Sequence, residues 1–182
     1  MLSRRERREN KKMRFMDNVI LNGFSVLLLI TLCVHTLRKT DERSVHHKLY
    51  IGTVIITILL LILDLFSRFD GHLGTIYPLI NHVSNFMLFL LNPILPSMWL
   101  LYVNVQVFHD EGRVKILLAP LIITFAVSTL IVIISQFNEW YYYIDADNIY
   151  HRGPLFILSS LFLFLLLLAS FVTCVRNRDK ID

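Results

Sequence analysis

The sequence predicts an all-α, polytopic integral membrane protein with five transmembrane helices, the third of them kinked. Two observations predict it. Hydrophobic residues make up 55% of the 182 residues and charged residues only 18%, more apolar surface than a soluble core of this size can hide. The apolar residues also gather into five stretches, each of roughly the 20 or so helical residues that cross a bilayer core. The same composition excludes a disordered chain, which needs low hydrophobicity and high charge. Two cysteines are too few for a disulfide scaffold.

The chain opens on a basic leader, residues 1–15, with seven Lys and Arg. A basic stretch before an apolar run resembles a signal peptide, but the run ends in LCVHTLRKTDER with no small-residue cleavage site, so a retained helix is expected. Met13 and Met16 offer internal starts, so the leader is either a misassigned start or, if it is real, a basic segment that turns the orientation to N-in. A membrane domain then covers 16–176, with spans at 19–36, 49–66, 78–105, 116–137 and 154–175. The third is too long for a straight crossing. Pro93 and Pro96, in NPILPSMW, are expected to kink it, because dividing it leaves neither half long enough. The connections are too short for a separate soluble domain. One of them, EWYYYIDADNIYHRG, carries aromatic and Ile positions on both sides of Asp-Ala-Asp-Asn. That pattern predicts a small β-hairpin or a membrane-surface loop, with a turn at 145–148. Residues 177–182 are read as a cytosolic tail, the start of a linker to a missing output domain.

Charge sets the orientation. Counted over the full chain, the side holding the N-terminus, Arg68 and Arg152 carries nine bases. The other side, with Arg38, Lys39, Arg43, Lys48, Arg113, Lys115, Arg176, Arg178 and Lys180, also carries nine. Starting at Met16 makes this two against nine, and the positive-inside rule then places the N-terminus outside and the C-terminus in the cytosol of a multi-pass cell-membrane protein. The net charge of +4 belongs to bases that flank apolar runs, facing anionic headgroups. Without the aromatic and basic interleaving of a single-strand binder, no nucleic-acid partner is expected. The partner is the lipid bilayer.

Few residues offer chemistry. Cys33 and Cys174 fall near the cytosolic ends of the first and fifth spans and read as buried thiols or palmitoylation sites, not a metal pair. No nucleotide, zinc or hydrolase motif occurs, and DADNIY lacks the glycine and ligand pattern of a calcium loop. No cofactor, metal or catalytic residue is expected. Polar residues within the spans carry more weight, because lipid penalises them. On the third span Pro78, Asn81, Asn85, Asn92, Pro96 and Trp99 share one face at about 100° per residue, with His82 beside it. Asp64 and Arg68 stand at i,i+4 near the outer end of the second span, a spacing that suits an ion pair.

The plainer reading makes these side chains interhelical glue. The sharper reading makes Asp64, Arg68, Asn81, His82 and Asn85, with Tyr143 and Arg152 of the aromatic connection above them, an outer pocket for a small extracytoplasmic ligand. A carboxylate with an apolar part would suit Arg68, His82 and an aromatic lid. A proton or ion path has only Asp64 clearly within a span to support it.

Three segments, DLFSRFDGHLG, NHVSNFMLFLLNPILPSMWLLYVNVQVFHDE and YIDADNIYHRGP, resemble the N-terminal five-helix membrane region of GGDEF-domain diguanylate cyclases of Firmicutes such as clostridia. The resemblance runs from about Met16 to Asp182. It implies a sensory or anchoring module ahead of a cytosolic domain that makes cyclic di-GMP from two GTP, with homodimers forming through that domain. No Gly-Gly-[Asp/Glu]-Glu-Phe occurs here, so no catalytic residue carries over and the chain is not read as an enzyme. A small transporter or carrier component using the polar third span is the alternative, and a pure membrane anchor a third.

Overall fold

The computed structural model describes residues 4–39, 44–72, 74–110 and 112–180. The ends of the leader and of the tail, 1–3 and 181–182, lie outside the described residues. Six α-helices and one hairpin are arranged in the order α1 (Arg4–Lys39), α2 (Val45–Ser67), α3 (Ile76–Leu91), α4 (Ile94–Phe108), α5 (Gly112–Asn138), β1 (Tyr142–Ile144), β2 (Tyr150–Arg152) and α6 (Phe156–Arg176), closed by a 3₁₀ turn at Arg178–Lys180. Five helical segments are long and apolar enough to cross a membrane, α3 and α4 together forming the third. The all-α, five-span architecture is therefore as the composition predicts. The hairpin is the single piece of sheet among the described residues.

Helix is the natural state of these stretches, because lipid offers no partner to a bare N–H or C=O and an α-helix satisfies them internally. Hydroxyl side chains within the spans bond back to the preceding turn, as Thr53 does to Leu49 O and Thr57 to Thr53 O, each within 2.8 Å. Ser44 caps α2 by accepting from the His47 N–H at 3.2 Å. The first helix begins upstream of the first apolar stretch and runs through most of the basic leader without a break. The third span is interrupted at residues 92–93. Pro93 and Pro96 have no N–H to return to the carbonyls of Phe89 and Asn92, so the helical ladder loses two rungs there.

The third span is the axis of the bundle. Its first half packs on α2 and α5, and its second half on α2, α5 and α6, while α1 packs chiefly on α2. One apolar core joins Leu100, Leu101 and Leu121. A second joins Val132 to Tyr141 and Tyr142, with Phe86 and Phe89 against them. Ile116, Phe137 and Ile157 are more than two-thirds exposed, as befits a belt that faces lipid.

Two contacts define the ends. Gly71 N–H donates to Asn148 O at 2.6 Å, joining the α2–α3 turn to the hairpin. Lys180 Nζ lies 4.8 Å over the Phe108 ring, joining the C-terminal turn to the end of α4. These are the hairpin end and the tail end of the bundle.

Candidate functional site

The hairpin end is held together by a relay of asparagines. Asn85 Nδ2 donates to Asn81 Oδ1 at 2.7 Å and to Asn81 O at 2.9 Å, one helical turn away. Asn81, completely buried, donates from Nδ2 to Asn148 Oδ1 at 2.9 Å. Asn148 Nδ2 donates onward to Phe69 O at 3.0 Å and His72 O at 3.1 Å. Three asparagine amides and the carbonyls of Phe69 and His72 thus tie α3, the α2–α3 turn and the hairpin into one unit. Each is paired, which is what makes burying them in an apolar setting affordable.

The hairpin is built to present Asn148. Its strands pair antiparallel, Tyr142 with Arg152, Tyr143 with His151 and Ile144 with Tyr150. Asn148 sits at φ 59°, a left-handed conformation that asparagine tolerates better than most residues. Asp145 shapes the turn: Oδ1 accepts from the Asp147 and Ile149 N–H groups at 3.0 and 2.8 Å, and Oδ2 meets His151 Nε2 at 2.8 Å. The His151 hydrogen bond, aided by the Ile149 N–H, holds the Asp145 carboxyl below its ordinary pKa. Below the turn, Tyr141 N–H donates to Ser135 Oγ at 2.8 Å. Tyr142 OH donates to Gln136 Oε1 at 3.1 Å, and burial pushes its phenol pKa up to about 12.

Beneath this unit lies a chamber of about 1240 Å³. Its walls come from Met16 and Asn18 of α1, Asp64 of α2 and Arg68 at its C-terminal cap, Asn85 and Phe89 of α3, and Phe156, Ser159 and Ser160 of α6. Asn92 stands at the helix break, and Tyr150 and Asp70 contribute from the hairpin and the α2–α3 turn. Asp64 accepts from Arg68 Nη2 at 3.1 and 3.3 Å and from Asn22 Nδ2 at 3.1 Å, so it also joins α1 to α2. Asp70 Oδ1 accepts from the Tyr150 N–H at 2.6 Å, holding the second strand over the chamber.

Of the seven residues singled out in the sequence, Asp64, Arg68 and Asn85 line this chamber. Asn81 lies behind Asn85, wholly buried. His82 does not converge with its neighbours: one residue further on it is turned about 100° around the helix, and it is exposed. Tyr143 stacks on His151 at 4.8 Å. The Arg152 guanidinium lies 4.6 Å over the Phe156 ring without lining the chamber. With Arg68 engaged by Asp64 and His82 elsewhere, the expected pair of carboxylate-binding groups is not assembled. Asn148, Asp70, Tyr150, Ser159 and Ser160 are additions that the sequence does not single out. Only Asn148 carries a local sign, an asparagine within a turn signal. The others reach the chamber through tertiary placement.

Among the described residues, no three His, Cys, Asp or Glu side chains gather as a metal site. Cys33 and Cys174 are free and half-buried. No family model, no curated protein and no solved structure matches this chain.

Proposed function

We propose that this protein is a membrane sensory module of a bacterial signalling system, of the kind that precedes diguanylate cyclase domains, and that it performs no catalysis itself. The chamber is the observation that carries the reading. It is bordered by Tyr150 of the hydrogen-bonded hairpin, has polar groups at one end of the bundle, and takes Phe156, Ser159 and Ser160 from α6. That helix continues to the tail end, so an occupant that favours one packing of α6 also biases the position of the tail. The hairpin end faces outward and the tail end the cytosol, on the two-against-nine count of bases from Met16 onward.

Two experiments test this. Alkaline phosphatase and green fluorescent protein are fused separately after Lys180. A fluorescent protein that glows beside an inactive phosphatase is expected, and the reverse overturns the orientation. A diguanylate cyclase domain is then fused at the same point, and Ser160→Trp is introduced to fill the chamber. A changed cyclic di-GMP output at equal folded protein is expected, whereas unchanged output counts against sensing.

The transporter reading draws on one feature, the helix break with Asn92 beside a cavity, since transporters bind substrate at broken helices. It requires a cysteine placed at Asn92 to react with impermeant reagents from both faces. The sensory reading requires access from the hairpin face alone.

A further inference from the structure

We infer that the chamber, with an apolar slot beside it, binds a single-chain amphiphile whose head is uncharged and rich in hydroxyls, of the glycerol or sugar kind. The inference rests on the sensory reading of the chamber and names the chemistry of its ligand.

The chain is argued from the second cavity. A slot of about 450 Å³ lies between α2, α4 and α6, walled by Trp99, Leu163 and Leu167, and Asn92 and Leu95 line both it and the chamber. The two volumes therefore meet at the helix break. The surface of the slot is almost wholly apolar, so a polar group placed there loses its hydrogen bonds while a methylene chain has none to lose. The chamber itself, at about 1240 Å³, exceeds the roughly 300–1,000 Å³ of ordinary small-molecule sites. Its polar end is open to water, since Asp64 and Arg68 are both part-exposed. A head lying there keeps some of its hydration while its chain runs past Asn92 into the slot.

The head is argued from what the hydrogen-bonding groups of the chamber wall have left to offer. Thr57 Oγ1 donates to Thr53 O at 2.7 Å, Ser67 Oγ to Asp64 O at 2.7 Å and Ser159 Oγ to Phe156 O at 2.6 Å. Asn85 Nδ2 donates twice to Asn81. These four residues of the wall have spent their protons within the protein, and what remains to a ligand is their oxygens. Asn92, where the two volumes meet, carries an amide that both donates and accepts, and its side chain has no hydrogen-bond partner among the described residues. A hydroxyl donates to the first set and accepts from the second. A carboxylate or phosphate has no proton for the oxygens. An ammonium has protons but brings a charge, and the acids of the wall are already engaged: Asp64 by Arg68 and Asn22, Asp70 by the Tyr150 N–H among others. An unmatched charge at this depth is penalised, whereas a neutral polyol is not.

Trp99, on the slot wall, gives the readout. The full-length Trp140→Phe protein, which keeps Trp99 as its sole tryptophan, is placed in phosphatidylcholine nanodiscs. It is titrated separately with four ligands that share one chain brominated at its end: dodecyl glycerol ether, dodecyl glucoside, dodecylamine and dodecanoic acid. The expected result is saturable quenching of Trp99 by a polyol-headed ligand, competed by its unbrominated form, with the amine and the acid at least about tenfold weaker. Whichever of the glycerol and glucoside arms saturates at the lower mole fraction assigns the head to that kind. Asn92→Leu should weaken the polyol ligands by about fivefold, and Thr57→Val, which removes one acceptor oxygen at nearly constant shape, by about threefold, with the amine and the acid unchanged by either. An amine or acid that quenches as strongly as both polyols overturns the assignment of the head. Quenching that rises only with mole fraction, without saturation or competition, overturns the site, as does polyol quenching unchanged in both variants. None of these results touches the sensory reading, which stands or falls on the Ser160→Trp fusion and uses no amphiphile.

Discussion

α3 buries Asn81, Ser84 and Asn85, whereas α4, the continuation of the same span, buries Leu100, Leu101, Val103, Val105 and Val107 with a single amide, Asn104. The partners differ accordingly. Asn81 of α3, backed by Asn85, bonds across to a hairpin residue 67 positions away, while Asn104 Nδ2 donates to Leu100 O in its own helix. The first half is specific and directional, fixing the hairpin to the α2–α3 turn beside the chamber. The second half is apolar and dense, and holds α2, α5 and α6 together. One span thus divides directional polar contacts from apolar cohesion at the proline pair between them.

The sharpest way to break that division is Gly153→Ala. A Cβ there would collide with the backbone carbonyls of Glu139 and Trp140, which no side-chain rotation relieves. A loss of about 3 kcal/mol or more is expected in the hairpin. Hydrogen exchange should show it as lost protection at Gly71, Tyr150 and Gly153 with α4 amides still slow; equal loss in both halves would refute the division. Leu101→Ala should do the converse. It removes a contact of the apolar core for about 2 kcal/mol, lowering the melting temperature of the bundle while the hairpin amides keep their relative protection.

Smaller effects sharpen the comparison. Asn81→Ala strips Asn148 Oδ1 and Asn85 Nδ2 of a partner and should destabilise by about 1–2 kcal/mol, read by thermal melting in detergent. Asp64→Ala should cost under about 1 kcal/mol, because Asp64 and Arg68 are 36% and 46% exposed and water can take over. Asp64→Asn should cost less still, since the amide oxygen can accept from Arg68, and wild-type stability in both variants would show the pair to be idle. The last effect is one of pH. The Asp145 pKa is lowered in the folded hairpin, so the stability it contributes is complete above its ordinary value of about 3.9 and is lost as pH falls through the lowered one. Hairpin protection should fade over that acid window in wild type and lose this dependence in Asp145→Asn.

The five spans and the break in the third were legible because both follow from composition and from proline, which act locally. The turn at 145–148 was legible for the same reason, and its hairpin form is one of the two outcomes that the pattern allowed. The chamber was legible only in part. Asp64 with Arg68 is an i,i+4 pair on one helix, and Asn81 with Asn85 is another, so period alone brings each together. His82 failed because adjacency in sequence is divergence on a helix. Asp70, Tyr150 and Ser160 come from three separate elements, and no local pattern specifies that a turn, a strand and a helix will share one wall.

The central claim is that the state of the chamber reaches the tail end through α6. Cys33 and Cys174 lie near the tail ends of α1 and α6, free and half-buried, and can carry spin labels without further substitution. The distance between them is measured by pulsed electron paramagnetic resonance in nanodiscs, for wild type, for Ser160→Trp in the chamber wall, and for Ile157→Trp on the lipid-facing side of the same helix. The account predicts a displacement of about 1–2 Å or more with Ser160→Trp and none with Ile157→Trp. Identical distributions in all three proteins, each folded, would contradict it.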